Sequence, residues 1–540
     1  MDALKNFASL NFTEQVKLLK DIEKKMTSAA IPDLVELCKK NDPFDQSTVM
    51  AENTLRALLL EDEAQTVEGL MSDNANIKRI SLQVCCQKKN PSATPILIKL
   101  FSNLISEHES ELISGHPNYN EGFEILSALS LIQPPEALDL FRQYTTHKDS
   151  LISSLSIEAV GKYKDTYSVD ALCKMVAESE ADDRYEECDI TVANAIDALA
   201  MINNNEAISF LASKIHHRNP VARRIIHAVF PRLGPETIHH IAPFLLSPDT
   251  DLKIMAANIL GTIGDKKGAD FIVDAVDKGL VDHPNVKFAV YEALGQICSM
   301  KSLVHLSDGL SEQDPSILIA VVSSLNNQIN PGVVKKVKQT IEKDETQAGR
   351  LIIAIVVSRA LSLFEALYED ETIGDKMIKA ILKLNDKGLC GAFSKKLNAM
   401  ENQRAKADAD KIKSISASEL KKRILIVDDS KSMLAFYRMV ASVMQISVAA
   451  AENGRQALDI LESDNSFDLI LTDLNMPVMT GIELTQKVRA NHAMDHIPIV
   501  VATTESEQSQ EQLARKMGVN DFIQKPFTAG QLRNKINSFI

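Results

Sequence analysis

The sequence predicts two kinds of structure in one chain: a long all-α array of helical repeats, then a smaller α/β domain with a parallel sheet. Three observations support this prediction. From about Asn11 to Met400, amphipathic segments alternate with short polar breaks. Within that stretch a motif of small residues returns every 30–39 residues. After Lys421 the pattern changes to short apolar runs separated by amphipathic segments.

The first part is predicted to consist of stacked pairs of helices. Many breaks place Pro after a polar residue, as at Asn219-Pro220 and Asp314-Pro315, which suits the turn that opens a helix. The small-residue motif reads Ala159-Val160-Gly161 in one copy, and successive copies are spaced 31, 39, 31, 30, 34 and 31 residues. Two helices of about 12 residues and two turns account for that period, and the small residue lets neighbouring helices approach closely. The motif is centred on positions 129, 160, 199, 230, 260, 294 and 325.

A polar segment separates the two parts. Residues 401–420 read ENQRAKADADKIKSISASEL. The beginning is compatible with a helix, whereas Ser414–Ser418 resembles a flexible joint. We therefore predict a helical array over 1–400, a linker over 401–420 and an α/β domain over 421–540.

Five apolar runs alternate with five amphipathic helices after the linker, which predicts a parallel sheet covered by helices on both faces. The active crevice of such a sheet lies at the carboxyl ends of its strands. The predicted strands are Ile424–Val427, Ser447–Ala450, Leu469–Leu471, Ile499–Ala502 and Phe522–Ile523. The predicted helices are Ser432–Met444, Arg455–Glu462, Gly481–Ala490, Glu507–Met517 and Ala529–Phe539.

Chemically active side chains follow these strands. Asp428 and Asp429 end the first run, Asp473 ends the third, Thr503 follows the fourth and Lys525 follows the fifth. Three carboxylates in one crevice repel one another unless a cation is present, and Mg²⁺ suits this role because it prefers oxygen ligands. A carboxylate can attack phosphorus, and a Lys ammonium and a Thr hydroxyl can then bind the phosphoryl oxygens.

Composition excludes several classes of function. The net charge is −14, of which residues 1–420 carry −13, so the array is a poor candidate for nucleic-acid binding. The N-terminus does not resemble a secretory signal, and no apolar run suggests a membrane span, so we expect a cytoplasmic protein. The seven cysteines show no CxxC spacing and are expected to be reduced core residues. His216-His217 and His239-His240 are interpreted as surface residues and not as a metal site.

Four motifs, ILIVDDSKSM, LILTDLNMPVMTG, IPIVVATTE and FIQKPF, resemble those of CheY-like receiver domains of two-component response regulators. They occur in order over about 120 residues. The resemblance implies a flavodoxin-like, doubly wound sheet of five parallel strands in the order 2-1-3-4-5. The array resembles HEAT repeats over roughly residues 11–400, which implies an α-solenoid with an extended binding face.

The receiver resemblance assigns roles to individual residues. Asp473 matches the phosphoacceptor. Asp428 and Asp429 match the acidic pair that holds Mg²⁺ together with Asp473, and Asn475 matches the position whose backbone carbonyl binds the metal. The Asn475 and Glu505 side chains match two variable positions that flank the path of the attacking water, and this pair implies fast self-dephosphorylation.

Four further positions match the switch. Thr503 matches the switch hydroxyl, Lys525 the phosphate-binding lysine and Phe522 the switch aromatic. Phe522 also fits a plain core aromatic. The bond between Lys525 and Pro526 is expected to be cis.

The resulting hypothesis is a response regulator whose output is protein binding. A partner histidine kinase would phosphorylate Asp473, and the switch would change contacts of the receiver, of the array or of both with an unknown protein partner. No enzyme activity is expected beyond the receiver's own phosphorylation and dephosphorylation, and no DNA-binding output is expected. The alternatives are a scaffold or phosphate sink localised by the array, or a receiver-regulated enzyme activity within residues 1–400.

Overall fold

The computed structural model describes residues 4, 6–39, 45–108, 117–181, 188–400, 402–414, 422–503 and 508–540. The chain forms two compact units. One comprises Met1–Glu178 with Asp189–Ala207, and the other comprises Ser179–Cys188 with Ile208–Ile540. The α/β domain therefore shares a unit with the C-terminal half of the helical array. Within the described ranges, no helix is long and apolar enough to cross a membrane.

The chain before the α/β domain is helical, as predicted. Many of its helices begin after a polar residue that caps them. Asn219 accepts hydrogen bonds from the backbone at the start of one helix, and Asp314 does the same at another, each directly before a Pro. The helices are α1 Phe12–Lys25, α2 Ile31–Cys38, α3 Gln46–Leu59, α4 Glu63–Leu70, α5 Ala75–Gln87, α6 Thr94–His108, α7 Pro117–Ile132, α8 Leu138–Tyr144, α9 Ser150–Lys162, α10 Val169–Glu178, α11 Ile190–Ile202, α12 Asn205–Ser213, α13 Pro220–Leu233, α14 Ile238–Ile241, α15 Thr250–Ile263, α16 Lys266–Asp277, α17 Pro284–Gln296, α18 Met300–Asp308, α19 Pro315–Asn327, α20 Pro331–Lys343, α21 Glu345–Val357, α22 Leu361–Tyr368, α23 Glu371–Leu384, α24 Lys387–Ala399 and α25 Gln403–Ser414.

The small residues of the repeated motif lie where helices of successive repeats meet. In the first unit α9 packs on α11, and a Cβ added to Gly161 would come within 2.8 Å of the Ala198 Cα. In the second unit α15 packs on α17, and a Cβ on Gly261 would lie 2.8 Å from the Ala293 Cα. Glycine is therefore needed for this close approach, as the motif predicts.

The first half of the predicted linker forms helix α25, which packs on α24. Ala405, Ala409 and Ile412 are buried there, and the Tyr368 hydroxyl donates a 2.7 Å hydrogen bond to Asp408. The rest of the predicted linker, residues 415–420, lies outside the described residues. A boundary within 401–420 therefore stays a prediction.

The α/β domain contains one parallel five-stranded sheet in the order β2-β1-β3-β4-β5, which confirms the predicted order. Asp473 and Thr503 are the last residues of β3 and β4, so Thr503 belongs to its strand instead of following it. The strands are β1 Arg423–Val427, β2 Ser447–Ala451, β3 Leu469–Asp473, β4 Ile499–Thr503 and β5 Asp521–Gln524. The helices between and after them are α26 Lys431–Val443, α27 Gly454–Ser463, α28 Gly481–Arg489, α29 Gln508–Lys516 and α30 Ala529–Asn537.

Two minor predictions need correction. His217 is buried and not a surface residue, because its Nδ1 accepts a hydrogen bond from the Asn219 backbone N–H and its Nε2 lies 3.2 Å from the Ser179 Oγ. Cys298 is exposed, whereas Cys38 and Cys85 lie in the core as expected.

Helix α26 lies between two partners within the second unit. It packs on the sheet and also against α19, α21 and α23 of the array. The Ser442 hydroxyl donates to the Leu384 carbonyl at the end of α23. Consecutive residues from Met433 to Tyr437 are all buried, as a helix covered on both sides requires.

Candidate phosphorylation site

The structure brings three of the predicted strand-end residues together. Lys525 follows β5, and its Nζ lies 2.9 Å from Asp428 Oδ2 at the end of β1 and 2.9 Å from Asp473 Oδ1 at the end of β3. The side chains of Asp428 and Asp473 are 1% and 14% exposed, so this ion-pair triad is shielded from bulk water. Parallel strands place these ends at one edge of the sheet.

The electrostatics of the site reflect crowded carboxylates. Burial raises the pKa of Asp473 to about 6; the Lys525 ammonium opposes this rise, and the negative charge of Asp428 adds to it. The pKa of Asp429 is raised well above its ordinary value by desolvation and by repulsion from Asp428 and Asp473. The two aspartates that Lys525 contacts raise its own pKa and outweigh the effect of burial. The lysine therefore stays charged and balances only part of the negative charge.

The oxygen donors at this site are of the kind that a hard divalent cation prefers. Among the described residues no three His, Cys, Asp or Glu side chains stand in a metal-binding arrangement, and the Lys525 ammonium bridges Asp428 and Asp473. Asp428, Asp429 and Asp473 nevertheless supply the carboxylate oxygens that Mg²⁺ prefers, and their mutual repulsion is the kind that a cation relieves.

The loop after β3 depends on a glycine. The Gly481 N–H donates a 3.0 Å hydrogen bond to the Leu474 carbonyl. A Cβ at Gly481 would lie far inside van der Waals contact with the Asp473 carbonyl oxygen. Thr480 caps α28 and forms a capping box with Glu483, which fixes the far end of the loop. The position of Asp473 is thus held by local backbone packing.

The predicted switch residues lie at the adjacent strand ends. Thr503 is 9% exposed, and its carbonyl accepts a 2.8 Å hydrogen bond from the Lys525 N–H. The bond between Lys525 and Pro526 is cis, as predicted. Phe522 is half-buried, packs against the core, and has the Arg515 guanidinium 5.1 Å from its ring centroid. Both interpretations of Phe522 therefore remain open.

Glu505, the other residue expected beside the path of water, lies outside the described residues. Asn475 lies within them. The Asn475 Oδ1 accepts a 2.7 Å hydrogen bond from the Nη2 of Arg223, a residue of array helix α13. Beside it, Arg224 Nη1 forms a 2.9 Å ion pair with Glu483 Oε2 on α28.

A third array residue contacts the receiver beside Asp428. Glu292 of α17 accepts a 2.7 Å hydrogen bond from the Ser430 hydroxyl, which also caps α26. The Ser430 N–H donates to Asp428 Oδ1 at 2.9 Å, so Glu292 is linked to the aspartate cluster through one residue. Burial, and repulsion from Asp428, raise the pKa of Glu292 to about 7.

The sequence does not mark Arg223 or Glu292 as site residues, because both lie on ordinary-looking repeat helices far away in the chain. One signal was available. Helix α26 reads as amphipathic, yet five consecutive apolar residues run from Met433 to Tyr437. Such a helix predicts burial on two sides, and a receiver alone covers only one.

Comparisons with known proteins agree with this architecture. A family model for the response regulator receiver domain matches residues 424–537, and one for HEAT repeats matches residues 239–350. Chemotaxis protein CheY of Pseudomonas aeruginosa is 41% identical over 115 residues, which are 21% of this chain and 92% of that protein. A chemotaxis protein CheY homolog of Campylobacter jejuni is 36% identical over 119 residues, which are 22% of this chain and 92% of that protein.

A solved structure was also matched. The receiver domain of a sensor histidine kinase of Pseudomonas aeruginosa, with a magnesium ion coordinated in its active site cleft, is 25% identical and aligns with a TM-score of 0.21. The alignment covers 22% of this chain and 96% of that domain. The sequence relatives decide the class: through its C-terminal domain this chain belongs to the response regulator receiver family. It is a two-component response regulator that carries HEAT repeats.

Proposed function

We propose that a histidine kinase phosphorylates Asp473 in a Mg²⁺-dependent reaction, and that the phosphoryl group changes the protein contacts of the receiver and of the HEAT-like array. The observation that carries this proposal is the triad in which Lys525 bridges Asp428 and Asp473 at the strand ends. It combines a nucleophile, a cation-binding carboxylate and a phosphate-binding ammonium in one shielded crevice.

The chemistry is a transfer between two nucleophiles. A carboxylate oxygen of Asp473 attacks phosphorus, the bond to the donor imidazole nitrogen breaks, and an acyl phosphate forms. Lys525 and Thr503 donate hydrogen bonds to the phosphoryl oxygens. Asp428, Asp429, Asp473 and the Asn475 carbonyl would hold Mg²⁺, which when bound neutralises phosphoryl charge. Because the pKa of Asp473 is about 6, most of this carboxyl is ionised at neutral pH and can act as the nucleophile.

The output follows from the contact between receiver and array. Helix α26 is held against α19, α21 and α23, and Glu292 lies one residue from the aspartate cluster. A phosphoryl group on Asp473 adds negative charge to a site where Glu292 already meets other carboxylates. We expect that repulsion to weaken the contact and to expose α26 and the array surface beneath it, in the cytoplasm, to protein partners.

Affinity capture tests this function. Intact protein and the Asp473→Asn variant would be used as bait, each with Mg²⁺ and with or without beryllofluoride. We expect wild-type bait with beryllofluoride to retain partners that Asp473→Asn bait does not. Partners that depend on residues 1–400 but are indifferent to Asp473 would instead favour the scaffold or phosphate sink. Recruitment that is identical in all four states would contradict a switched output.

A further inference from the structure

The second unit contains a buried arginine whose position is explained by a receiver residue. Arg223 is 3% exposed. Its Nη2 donates to Asn475 Oδ1 at 2.7 Å, and its Nη1 lies 3.3 Å from the His217 carbonyl oxygen. A buried guanidinium is costly unless hydrogen-bonded acceptors surround it, so these contacts hold Arg223 in one orientation. The same contacts hold the Asn475 amide.

Asn475 is close to the reacting group. It lies two residues beyond Asp473 in the loop that Gly481 and Leu474 close, and it is half-buried. A short amide at this place can accept a hydrogen bond from water approaching a phosphoryl group on Asp473. Its Oδ1 is instead engaged by a charged donor, and hydrogen bonds to charged groups are about twice as strong as neutral ones.

We propose that Arg223 is a positioning residue for Asn475, and that the docked repeat array thereby prolongs the life of the phosphoryl group on Asp473. This inference rests on the proposed function. The HEAT-like array is then part of the receiver's chemistry as well as a binding surface. Release of the array, which the proposed function attributes to phosphorylation, frees the amide and speeds the return to the unphosphorylated state.

The step affected is hydrolysis of the acyl phosphate. A water oxygen attacks phosphorus, the bond between phosphorus and the Asp473 carboxylate oxygen breaks, and inorganic phosphate leaves with the water proton. Asp473 regains its carboxylate, and no oxidant or reductant is involved. Arg223 touches neither phosphorus nor the water in this scheme. It acts through the orientation of Asn475 alone.

The neighbouring arginine supplies a matched control. Arg224 also joins array helix α13 to the receiver, through a 2.9 Å ion pair with Glu483. It is exposed to about a quarter, and its partner lies on α28 and not in the crevice. Arg224→Gln therefore removes one contact between array and receiver and leaves the contact of Arg223 with Asn475 in place. A difference between Arg223→Gln and Arg224→Gln separates positioning from docking.

The experiment uses the full chain, phosphorylated by acetyl phosphate with Mg²⁺ and then freed of donor. Loss of the phosphoryl group is followed by phosphate-affinity electrophoresis. We expect Arg223→Gln to shorten the lifetime about three- to tenfold, within the net range of one hydrogen bond. Arg224→Gln should stay within about twofold of wild type. Arg223→Lys, which keeps a charged donor, should restore most of the lifetime.

A double-mutant cycle completes the test. If Arg223 acts through Asn475, the Arg223→Gln change has no further effect on the lifetime in an Asn475→Ala background. Additive effects, a wild-type lifetime for Arg223→Gln, or equal effects of the two arginine variants would overturn the inference while leaving the proposed function intact. Absence of any phosphoryl group on the wild-type protein would overturn both. Because Arg223→Gln could disturb folding, thermal melts accompany each variant. If the Gln variant is unfolded, the lifetime of Arg223→Lys decides the test in its place.

Discussion

At the scale of single residues, the site is governed by the balance between its negative and positive charges. Asp428, Asp429 and Asp473 are brought together by the ends of β1 and β3, and Lys525 supplies one positive charge between two of them. Burial removes the carboxyls of Asp473 and Asp429 from water, and the net excess of negative charge repels their ionised forms. Both effects raise the pKa of these two residues. The same excess explains why a divalent cation belongs to the proposed reaction.

A glycine substitution tests how tightly Asp473 is held. Gly481→Ala places a methyl group against the Asp473 carbonyl, so we expect a loss of about 1–3 kcal/mol in the free energy of unfolding, together with slower phosphorylation. Gly530→Ala is the control, because it also lies in the first turn of a receiver helix and its nearest neighbour is 3.8 Å away. Chemical denaturation measures the free energy of unfolding of both variants. Equal stability of the two variants would contradict the proposed constraint.

A half-buried histidine predicts pH dependence. The pKa of His227 is lowered to about 4, mainly by burial and also by Arg223 and His216, and its Nε2 lies 2.7 Å from the Ile215 carbonyl oxygen. The unfolded chain therefore binds more protons than the folded one between about pH 4 and 6.5. The contribution of neutral His227 to the free energy of unfolding is complete above pH 6.5 and is lost as the pH falls toward 4.

The matched variant is His227→Gln, because Gln can still donate to the Ile215 carbonyl but does not titrate. Thermal melts from pH 7 to pH 4 should show a smaller fall in melting temperature for the variant than for the wild type. Parallel curves would show that His227 makes no contribution to the acid sensitivity.

At the scale of elements, two features organise the molecule. Small residues allow the motif-bearing helices to approach closely, and the apolar run of α26 allows the receiver to be covered on a second side. The first feature has a visible period in the sequence. The covering of α26 on a second side has no such period, because a helix buried on both faces lacks the one-sided pattern that indicates its partner.

The helix approach can be tested at one position. Gly261→Val places atoms where the Ala293 Cα leaves no room, so we expect a loss of about 1–3 kcal/mol in unfolding free energy. Gly349→Ala in α21 has no neighbour within 4 Å and should be neutral or stabilising by up to about 1 kcal/mol. Urea unfolding followed by helical circular dichroism compares them. A neutral Gly261→Val would mean that the helices separate at little cost.

At the scale of the whole molecule, the receiver and the array residues from Ile208 onward form one compact unit. Contacts at Ser430, Asn475 and Glu483 come from array helices α13 and α17 and surround the crevice on two sides. Phosphorylation of Asp473, as proposed, would therefore occur at an interface. The added charge would then act directly on the array without passing through the rest of the receiver.

Hydrogen exchange tests that coupling. With Mg²⁺ and beryllofluoride, we expect amides of α26 and of the array helices beneath it to exchange several-fold faster, because the added charge repels Glu292. Glu292→Gln keeps the acceptor for Ser430 but removes the charge, so the increase should shrink. Glu312→Gln removes a carboxylate that pairs with Lys287, on the same helix as Glu292, and that has no contact with Ser430, so it should respond as wild type does. An unchanged α26, or an undiminished response of Glu292→Gln, would contradict the coupling.

The sequence alone determined the helical array, the five-stranded parallel sheet with its order, and the strand-end position of Asp473, because these depend on local periodicity and on short motifs. Only the tertiary structure decided that Arg223 and Glu292 reach the proposed phosphorylation site. Those contacts join residues about 250 and 140 positions apart in the chain. A sequence pattern records which face of a helix is apolar, but not which distant surface will cover it. Packing and charge complementarity between the receiver and the array therefore settled which array helices cover α26.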